Sequence, residues 1–467
     1  MAESHAEPMT DGELAAHFKT LQDHRICSLM LAVSGGTDSL ALLHLYARHR
    51  RLTGRQEHVL CVTVDHRLRP ESAREAAFVA AEAARLDIRH ETLIWEGQKP
   101  STGLQQAARE ARYRLMAARL AREPGVPRAI LSAHTADDQA ETFLMRLARG
   151  SGPDGLSSIP TVRRLEVASD ILLIRPLLGI SRARLAATLS AAGITPAEDP
   201  GNTDEAYERV RTRAALAHLN QLGVTTAALA RSAARLGRAR EALDAASGDL
   251  EHRIATIVPG VSTSFDAQTF WPASAEFRVR LLKRALERHG GIHPPARLSE
   301  IEDALERLER DQLNEQSAAT LGGCVVARTA KTISIFRELG RNGLEEVTLE
   351  PGTGAIWDGR FLASLSAHAP ARVTVRSIPP EIWALAKESI PGAALPARIA
   401  LTLPSFWSRG ELVALPGFST LLAPGGQRHT DCVALPCADV SGSLCRVEAD
   451  HCSLDSCLPC SSGEEQD

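Results

Sequence analysis

The sequence predicts an α/β protein with a doubly wound parallel sheet, followed by a helical segment and a small β-containing C-terminal region. Short apolar runs typical of buried strands occur at residues 28–34, 58–65, 88–95 and 128–133. Longer stretches that are apolar on one face separate them, at residues 39–50, 71–86 and 104–121. This β-α alternation calls for a parallel sheet with helices on both faces, and such sheets bind ligands at the carboxyl ends of their strands.

The rest of the chain divides by composition. Residues 180–337 are rich in Ala, Leu and Arg, and residues 226–246 place their leucines on one helical stripe. After residue 337 prolines become frequent, and residues 372–376 and 399–403 resemble strands, the latter paired with 411–415 through a turn at 408–410. We therefore expect an N-terminal extension (1–24), a catalytic domain (25–215), a helical domain (216–339), a small α+β domain (340–441) and a Cys-rich disordered tail (442–467).

Composition excludes several classes of protein. With 44% hydrophobic and 24% charged residues, the chain is neither disordered nor membrane-embedded. Its apolar runs are far shorter than the roughly 20 residues that span a bilayer. The acidic N-terminus lacks the apolar segment of a secretory signal, so we expect a cytoplasmic protein with no membrane partner. A net charge of −4 means that any RNA surface depends on local arginine clusters.

The first predicted strand ends in a sequence typical of a phosphate-binding loop. Its residues, which we expect to bind ATP, are Ser34, Gly35, Gly36, Thr37, Asp38 and Ser39. The glycines permit a tight turn, and the next helix directs its N–H groups and positive dipole end at an anion, with the three hydroxyls as further donors. The spacing is not that of the common P-loop. A carboxylate within an anion site makes sense when Mg²⁺ lies between them, so Asp38 is the candidate metal ligand.

Polar clusters also follow the second and fourth strands. Asp65 and His66 end the second strand and are candidate ATP contacts, while Asp137, Asp138 and Glu141 open the helix after the fourth. Asp138 and Glu141 stand three residues apart and share a helix face. They can hold Mg²⁺ or the ammonium of a cationic substrate, although helix capping alone would explain Asp137 or Asp138.

Several motifs in order resemble one family. SGGTDS, VDHRLRPES, the stretch 103–113, HTADDQAETFLMRLARGSGPDGL, RPLL at 175–178 and EDPGNTD at 198–204 are similar to those of the tRNA(Ile)-lysidine synthetase family, within the PP-loop ATP pyrophosphatase superfamily. The resemblance is strong over residues 25–215 and weak over 216–340. It implies a ligase that adenylates the C2 oxygen of cytidine 34 in the CAU anticodon of isoleucine tRNA. The ε-amine of L-lysine then displaces AMP to give lysidine.

The resemblance also implies residue roles. Asp38, Asp138 and Arg209 would be catalytic, with ATP and Mg²⁺ at the phosphate loop. Lysine would be held by Asp138 and Glu141, and its carboxylate by Arg112. Arginines expected to contact tRNA are Arg211, Arg213, Arg231, Arg235 and Arg238, the last three on one helical face that could equally be a solvated surface. The family usually has Asn where this chain has Val210. We also expect that the protein can form a homodimer.

Three rival functions follow from the same residues. One is an amidotransferase-type synthetase acting on a small molecule, which would not need the helical, arginine-bearing domain. A PP-loop tRNA thiolase would adenylate a base in the same way but deliver sulfur, and Cys27 and Cys61 form no cysteine pair for that chemistry. A catalytically dead tRNA-binding protein is disfavoured because Asp38, Asp138 and Glu141 are all present. In the tail, Cys457-x-x-Cys460 has metal-ligand spacing, but the few apolar residues around it favour a disordered extension over a zinc site.

Overall fold

A computed structural model describes residues 6–68, 72–100, 102–165, 167–197, 208–310, 317–389, 395–415 and 432–437. The chain forms two compact units, Met1–Ala242 and Leu243–Asp467. The finer domain boundaries expected from the sequence stay predictions. The expected tail lies outside the described residues.

The first unit is built on a six-stranded sheet with strand order β3-β2-β1-β4-β6-β5. Its strands are β1 (Ser28–Ala32), β2 (His58–Asp65), β3 (Arg89–Ile94), β4 (Arg128–Leu131), β5 (Val162–Leu165) and β6 (Ala168–Ile174). All neighbours pair in parallel except β5, which runs antiparallel to β6 at the edge. The doubly wound parallel sheet predicted from the sequence is thus confirmed, with four of its strands in the predicted places.

Helices connect and cover these strands. They are α1 (Asp11–Asp23), α2 (Thr37–Thr53), α3 (Ser72–Arg85), α4 (Leu104–Leu120), α5 (Ala136–Ala148), α6 (Pro153–Leu156), α7 (Arg182–Ala191), α8 (Glu208–Gln221) and α9 (Thr226–Ile254). One buried cluster unites α1, α2 and α7 with the sheet, including Leu14, Phe18, Leu42 and Leu185. The opposite face of the sheet packs against α4 through Met116 and Leu120. This two-sided burial explains why β1, β2 and β4 contain continuous apolar runs, whereas the edge strand β3 is partly exposed.

The second unit begins within α9, and its described residues form three antiparallel sheets. Their orders are β7-β8-β11-β10-β9, β12-β15-β16-β17 and β13-β14-β18. The strands are β7 (Ala255–Val258), β8 (Ser262–Asp266), β9 (Ser317–Leu321), β10 (Cys324–Arg328), β11 (Thr332–Arg337), β12 (Val347–Leu349), β13 (Gly354–Trp357), β14 (Phe361–Leu365), β15 (Val373–Ser377), β16 (Pro404–Ser408), β17 (Glu411–Ala414) and β18 (Cys432–Pro436). The helices are α10 (Ala267–Phe270), α11 (Ala275–His289), α12 (Leu298–Arg310), α13 (Pro380–Ser389) and α14 (Ala397–Ala400).

Two sequence-based expectations for this unit need correction. The segment expected to be helical also contains β7–β11, short strands whose alternation was masked by the surrounding Ala- and Arg-rich helices. Residues 399–403 are not a strand, because α14 and a turn occupy them; the strand is β16, directly after them. The predicted hairpin is otherwise correct, since β16 pairs with β17 through Arg409 and Gly410, both at positive φ.

No helix among the described residues combines the length and apolar character that crossing a membrane requires.

Candidate active site

The phosphate loop lies between β1 and α2, as predicted. Gly35 has φ +94°, a conformation that side chains rarely adopt, and its carbonyl accepts a hydrogen bond from the N–H of Ala197 at 3.1 Å. Gly36 is the N-cap of α2. The loop therefore presents the N-terminal end of α2 at the carboxyl edge of the sheet, where an anion is stabilised by free N–H groups.

Ser39 lies in the first turn of α2 and forms hydrogen bonds within the loop. Its hydroxyl donates to the Gly36 carbonyl at 3.0 Å and accepts from the N–H of Ser34 at 3.1 Å, and the side chain is buried. These bonds stabilise the loop, and the expected contact of Ser39 with ATP stays a prediction. Ser34 is exposed, and Thr37 is half-buried in the first turn of α2.

The acids after β4 lie in the first two turns of α5, as predicted. Asp138 and Glu141 are both buried. Asp138 forms a capping box with Thr135: its Oδ2 accepts from the backbone N–H at 2.8 Å and from the hydroxyl at 3.0 Å. The helix-capping interpretation of Asp138 is therefore correct for one of its carboxylate oxygens. The other oxygen, Oδ1, accepts a hydrogen bond from Arg182.

Arg182, the first residue of α7, joins these acids to the phosphate loop. Its Nε donates to Asp38 Oδ2 at 2.8 Å, its Nη2 to Asp138 Oδ1 at 2.9 Å and its Nη1 to Glu141 Oε1 at 3.2 Å. Its backbone N–H donates to Asp137 Oδ2 at 2.8 Å. One planar guanidinium thus binds carboxylates that follow two different strands of the sheet.

A second cation completes the cluster. Arg213 Nε donates to Glu141 Oε1 at 2.6 Å, so this arginine lies in the carboxylate cluster, and its expected contact with tRNA stays a prediction. Two buried oxygens, Asp38 Oδ1 and Glu141 Oε2, have no hydrogen-bond partner among the described residues. Counted over the described residues alone, four carboxylates and two guanidinium groups give the cluster a net negative charge, which favours a cationic ligand.

Burial and neighbouring charges shift the titration of this cluster. Burial raises the pKa of Asp38, and the carboxylates of Asp138 and Asp137 add to the rise, while Arg182 opposes it. Burial by itself would lower the pKa of Arg182, but Asp138, Asp38 and Glu141 together raise it. Arg182 therefore remains charged at all physiological pH values, and the cation within the cluster is permanent.

The end of β2 forms a separate polar group. Asp65 accepts from the N–H of Arg67 at 2.8 Å, and the His66 ring packs edge-on against Trp95, with ring centroids 5.6 Å apart. Burial, Arg112 and Lys99 lower the pKa of His66 to about 4, so its imidazole is neutral at pH 7. The exposed Arg112, expected to bind lysine, thus acts electrostatically on His66.

The remaining predicted tRNA contacts lie on α8 and α9. Arg211 is exposed on α8, and Arg231, Arg235 and Arg238 are exposed on α9. The side chain of Arg209 lies outside the described residues. Cys61 is buried in the sheet and Cys432 in the core of the second unit, where neither is placed for sulfur transfer.

The residues at the phosphate loop fit Mg²⁺. This ion is commonly held by one or two carboxylates together with substrate phosphates and water, so it does not need a complete protein cage. Among the described residues, no group of three or more His, Cys, Asp or Glu side chains has metal-binding geometry. Asp38 Oδ1 is buried, has no hydrogen-bond partner among the described residues and lies in the anion-binding loop. It can therefore serve as the single carboxylate ligand of a Mg²⁺ ion that is otherwise held by phosphates and water.

Arg182 is not among the site residues predicted from the sequence, although the sequence contains a signal for it. It follows β6, whose residues were not predicted to form a strand, so no strand end was expected next to Arg182. β6 pairs with β4 in parallel, which brings its carboxyl end to the same edge as the acids of α5. Ser181 caps α7 by accepting the N–H of Arg184, and a Ser followed at once by Arg after an apolar run is the readable signal.

Comparison with known proteins agrees with this geometry. Residues 10–220 match the model of the PP-loop domain family ATP_bind_3, which defines the first unit as an ATP-binding PP-loop domain. The chain is 44% identical over 311 residues to a tRNA(Ile)-lysidine synthase of Bradyrhizobium sp. BTAi1, covering 65% of this chain and 85% of that protein. It is 40% identical over 393 residues to the same enzyme of Ruegeria pomeroyi, covering 83% and 88%.

The chain therefore belongs to the tRNA(Ile)-lysidine synthase family and is a tRNA-modifying ligase. Among solved structures, it is similar to the U34-tRNA thiolase NcsA from Methanococcus maripaludis with its [4Fe-4S] cluster. That similarity has a TM-score of 0.41 and 14% identity, covering 49% of this chain and 78% of that one.

Proposed function

We propose that this enzyme joins L-lysine to C2 of cytidine 34 in the CAU anticodon of an isoleucine tRNA. In the first step, the C2 oxygen of the base attacks the α-phosphate of ATP, forming the C2–O–P linkage and releasing pyrophosphate. In the second, the lysine ε-amine bonds to C2, the C2–O bond breaks, and AMP leaves with its oxygen. The amine loses a proton as lysidine forms.

The observation that carries this proposal is the junction of the phosphate loop with the acids of α5. Asp38 lies in the first turn of α2, while Asp138 and Glu141 lie in α5, and all three contact Arg182. An adenylation site needs a phosphate cradle, and an amine-accepting site needs buried carboxylates. Because the phosphate loop and the acids of α5 lie close together, the bound amine can reach the activated base while both substrates stay in the site.

On the nucleotide side, the loop residues would bind the phosphates of ATP through the N-terminal end of α2. Mg²⁺, held by Asp38 Oδ1, would supply positive charge for the phosphate oxygens. Ser39 maintains the loop through its bonds to Gly36 and Ser34. Asp65 and His66, at the adjacent strand end, would contact the nucleotide. A neutral His66 ring can accept a hydrogen bond, which suits a donor such as a ribose hydroxyl or an amino group.

On the lysine side, Glu141 Oε2 is the uncommitted buried acceptor and would bind an ammonium group of the substrate. Both oxygens of Asp138 already accept hydrogen bonds, so Asp138 would accept the amine proton only as those bonds rearrange. Arg112 would bind the substrate carboxylate, and Arg209 would act near the reacting phosphate.

The tRNA would lie on the exposed arginines. Arg211, Arg231, Arg235 and Arg238 are suited to phosphate contacts, which fix a nucleic acid in place without reading its sequence. We propose further that the enzyme works in the cytoplasm, where its tRNA, lysine and ATP are available, and that it can form a homodimer.

The deciding experiment measures AMP and pyrophosphate release with unmodified isoleucine tRNA, with and without lysine. The proposal expects adenylation of the tRNA without lysine and AMP release coupled to lysine incorporation when lysine is added. Turnover that requires a sulfur donor instead of lysine would favour a thiolase. Absence of both adenylation and lysine incorporation, with tRNA binding retained, would indicate a binding protein.

A further inference from the structure

Arg182 contacts acids that the proposed function assigns to two different substrates. Its guanidinium binds Asp38, on the nucleotide side, together with Asp138 and Glu141, on the amine side. Its own backbone N–H binds Asp137. Because a guanidinium is rigid and planar, these contacts fix the distance between the phosphate loop and the amine-accepting carboxylates.

The oxygens that Arg182 leaves uncommitted point to a role beyond packing. Asp38 and Glu141 each give one oxygen to Arg182, and the second oxygen of each is buried without a partner among the described residues. Buried polar atoms in a purely structural cluster are normally all hydrogen-bonded. The Arg182 side chain is itself 30% exposed, so the cluster is open to a ligand on one side.

We propose that Arg182 is a positioning residue that makes the enzyme selective for the length of the amine substrate, an inference that rests on the proposed function. Lysine carries two amines separated by a chain of fixed length. With Asp38 and Glu141 held by one guanidinium, an amine bound at Glu141 Oε2 stands at a set distance from the nucleotide. The shorter homologue ornithine then cannot span from that point to the activated base.

The role depends on the planar guanidinium of Arg182, whose nitrogen atoms point in different directions. Three nitrogen atoms of Arg182 each meet a different carboxylate, at 2.8 to 3.2 Å. A lysine at this position would keep the positive charge but could not hold all three acids at fixed spacing, because its ammonium is a single point on a flexible stem. Charge and spacing can therefore be separated by mutation.

The test compares lysine with ornithine as substrates of the full-length enzyme, wild type and Arg182→Gln. One methylene is worth roughly 10- to 200-fold in discrimination, so the wild type should prefer lysine by that order in kcat/KM. In Arg182→Gln we expect this preference to fall by about tenfold or more, with the KM for lysine raised about tenfold and the KM for tRNA unchanged. A merely structural contact would lower stability without changing the preference.

Arg184→Gln is the matched control, because Arg184 lies two residues further along α7 and pairs with Glu13 of α1 instead. It should lower the melting temperature and leave the lysine preference unchanged. Arg182→Lys should lose the preference while melting closer to wild type. An unchanged preference in folded Arg182→Lys overturns the inference, whether or not Arg182→Gln folds.

The two proposals fail in different ways. Wild-type enzyme that forms no lysidine refutes the proposed function. Wild-type enzyme that forms lysidine, with variants as selective as wild type, refutes only the role of Arg182.

Discussion

The chemistry of the site depends on how individual carboxylate oxygens are used. Asp138 has both oxygens engaged, one by Thr135 and one by Arg182, whereas Asp38 and Glu141 each retain one. Residues of one chemical type therefore differ in what they can offer a ligand. The sequence alone does not distinguish Asp138 from Glu141. Their contacts do: Glu141 has a free oxygen that can bind an amine, whereas Asp138 has to give up its hydrogen bonds to Thr135 or Arg182 first.

At the metal side, Asp38→Ala should abolish pyrophosphate release while the protein stays folded. The substitution removes the carboxylate that would hold Mg²⁺ beside the phosphate loop, and it leaves the α2 N-terminus unchanged. Adenylation of isoleucine tRNA, measured as pyrophosphate release, and circular dichroism report the two properties. Asp170→Asn, an exposed acid in β6, is the matched control and should behave as wild type. Near-normal pyrophosphate release by folded Asp38→Ala would refute the metal role.

At the amine side, Glu141→Gln should weaken lysine binding without stopping adenylation. A buried hydrogen bond to a charged group contributes about 1.5–3 kcal/mol, so the KM for lysine should rise roughly ten- to a hundredfold. The measurement is lysine incorporation at varied lysine concentration, with trapping of adenylated tRNA in the same reactions. If adenylation and turnover fall equally and the lysine dependence is unchanged, Glu141 serves Mg²⁺–ATP rather than the amine.

At the scale of elements, the N-terminal turns of three helices carry the side chains that meet at Arg182. α2 begins after Gly36, α5 after Thr135 and α7 after Ser181, at the carboxyl ends of β1, β4 and β6. The first two could be predicted because a strand-like run precedes each and acids or glycines follow. The start of α7 was not predicted because β6 was not recognised as a strand, although Ser181 followed by Arg182 after an apolar run is a readable signal.

The contact between Asp38 and Arg182 could not be predicted from the sequence either. The separation of 144 residues between Asp38 and Arg182 carries no local periodicity, so their contact follows only from the order of strands in the sheet. In the same way, Arg213 resembled its neighbour Arg211 as a member of an arginine-rich segment. Only the packing of α8 beside α5 brings it to Glu141.

The N-terminal helix anchors α7, the helix that carries Arg182. Glu13 of α1 accepts two hydrogen bonds from Arg184 Nη2, at 2.7 and 2.8 Å, and caps its own helix at Thr10. Hydrogen bonds from the Thr10 backbone and hydroxyl, with Arg184, lower the pKa of Glu13 from its ordinary 4.5 to about 2. Residues 1–24, expected to be an N-terminal extension, thus include a helix that is hydrogen-bonded to α7.

This lowered pKa gives Glu13→Gln a pH-dependent effect on stability. A depressed carboxyl pKa contributes stability above the ordinary value of 4.5, and that contribution is lost as the pH falls toward 2. The wild type should therefore melt at a higher temperature than Glu13→Gln at pH 7, and the difference should shrink between pH 4.5 and 2. Thermal unfolding across this range measures it, with Asp23→Asn, at the far end of α1, as control. A difference independent of pH would contradict the charge-based account.

At the scale of the whole molecule, the described groups of the candidate site belong to the first unit, and a second buried ion cluster belongs to the other. In it, Asp358 binds Arg337 through both oxygens and Arg360 through Oδ2 at 2.7 Å. All three side chains are at most 4% exposed. Arg360 also donates to the carbonyls of Gly260 and Thr402, which connects segments distant in the chain.

Asp358→Ala should therefore destabilise the protein without altering its chemistry. Removing one partner of a buried ion cluster typically costs about 3–5 kcal/mol because the remaining charges, here two guanidinium groups, are left uncompensated. Urea unfolding should show a loss of that order, whereas the folded enzyme at low temperature should keep its KM for lysine and for ATP. Asp303→Ala, on α12 of the same unit, is the control and should have little effect on either. A changed lysine KM in folded Asp358→Ala would mean that the second unit contributes to lysine binding, and the chemistry could then no longer be assigned to the first unit alone.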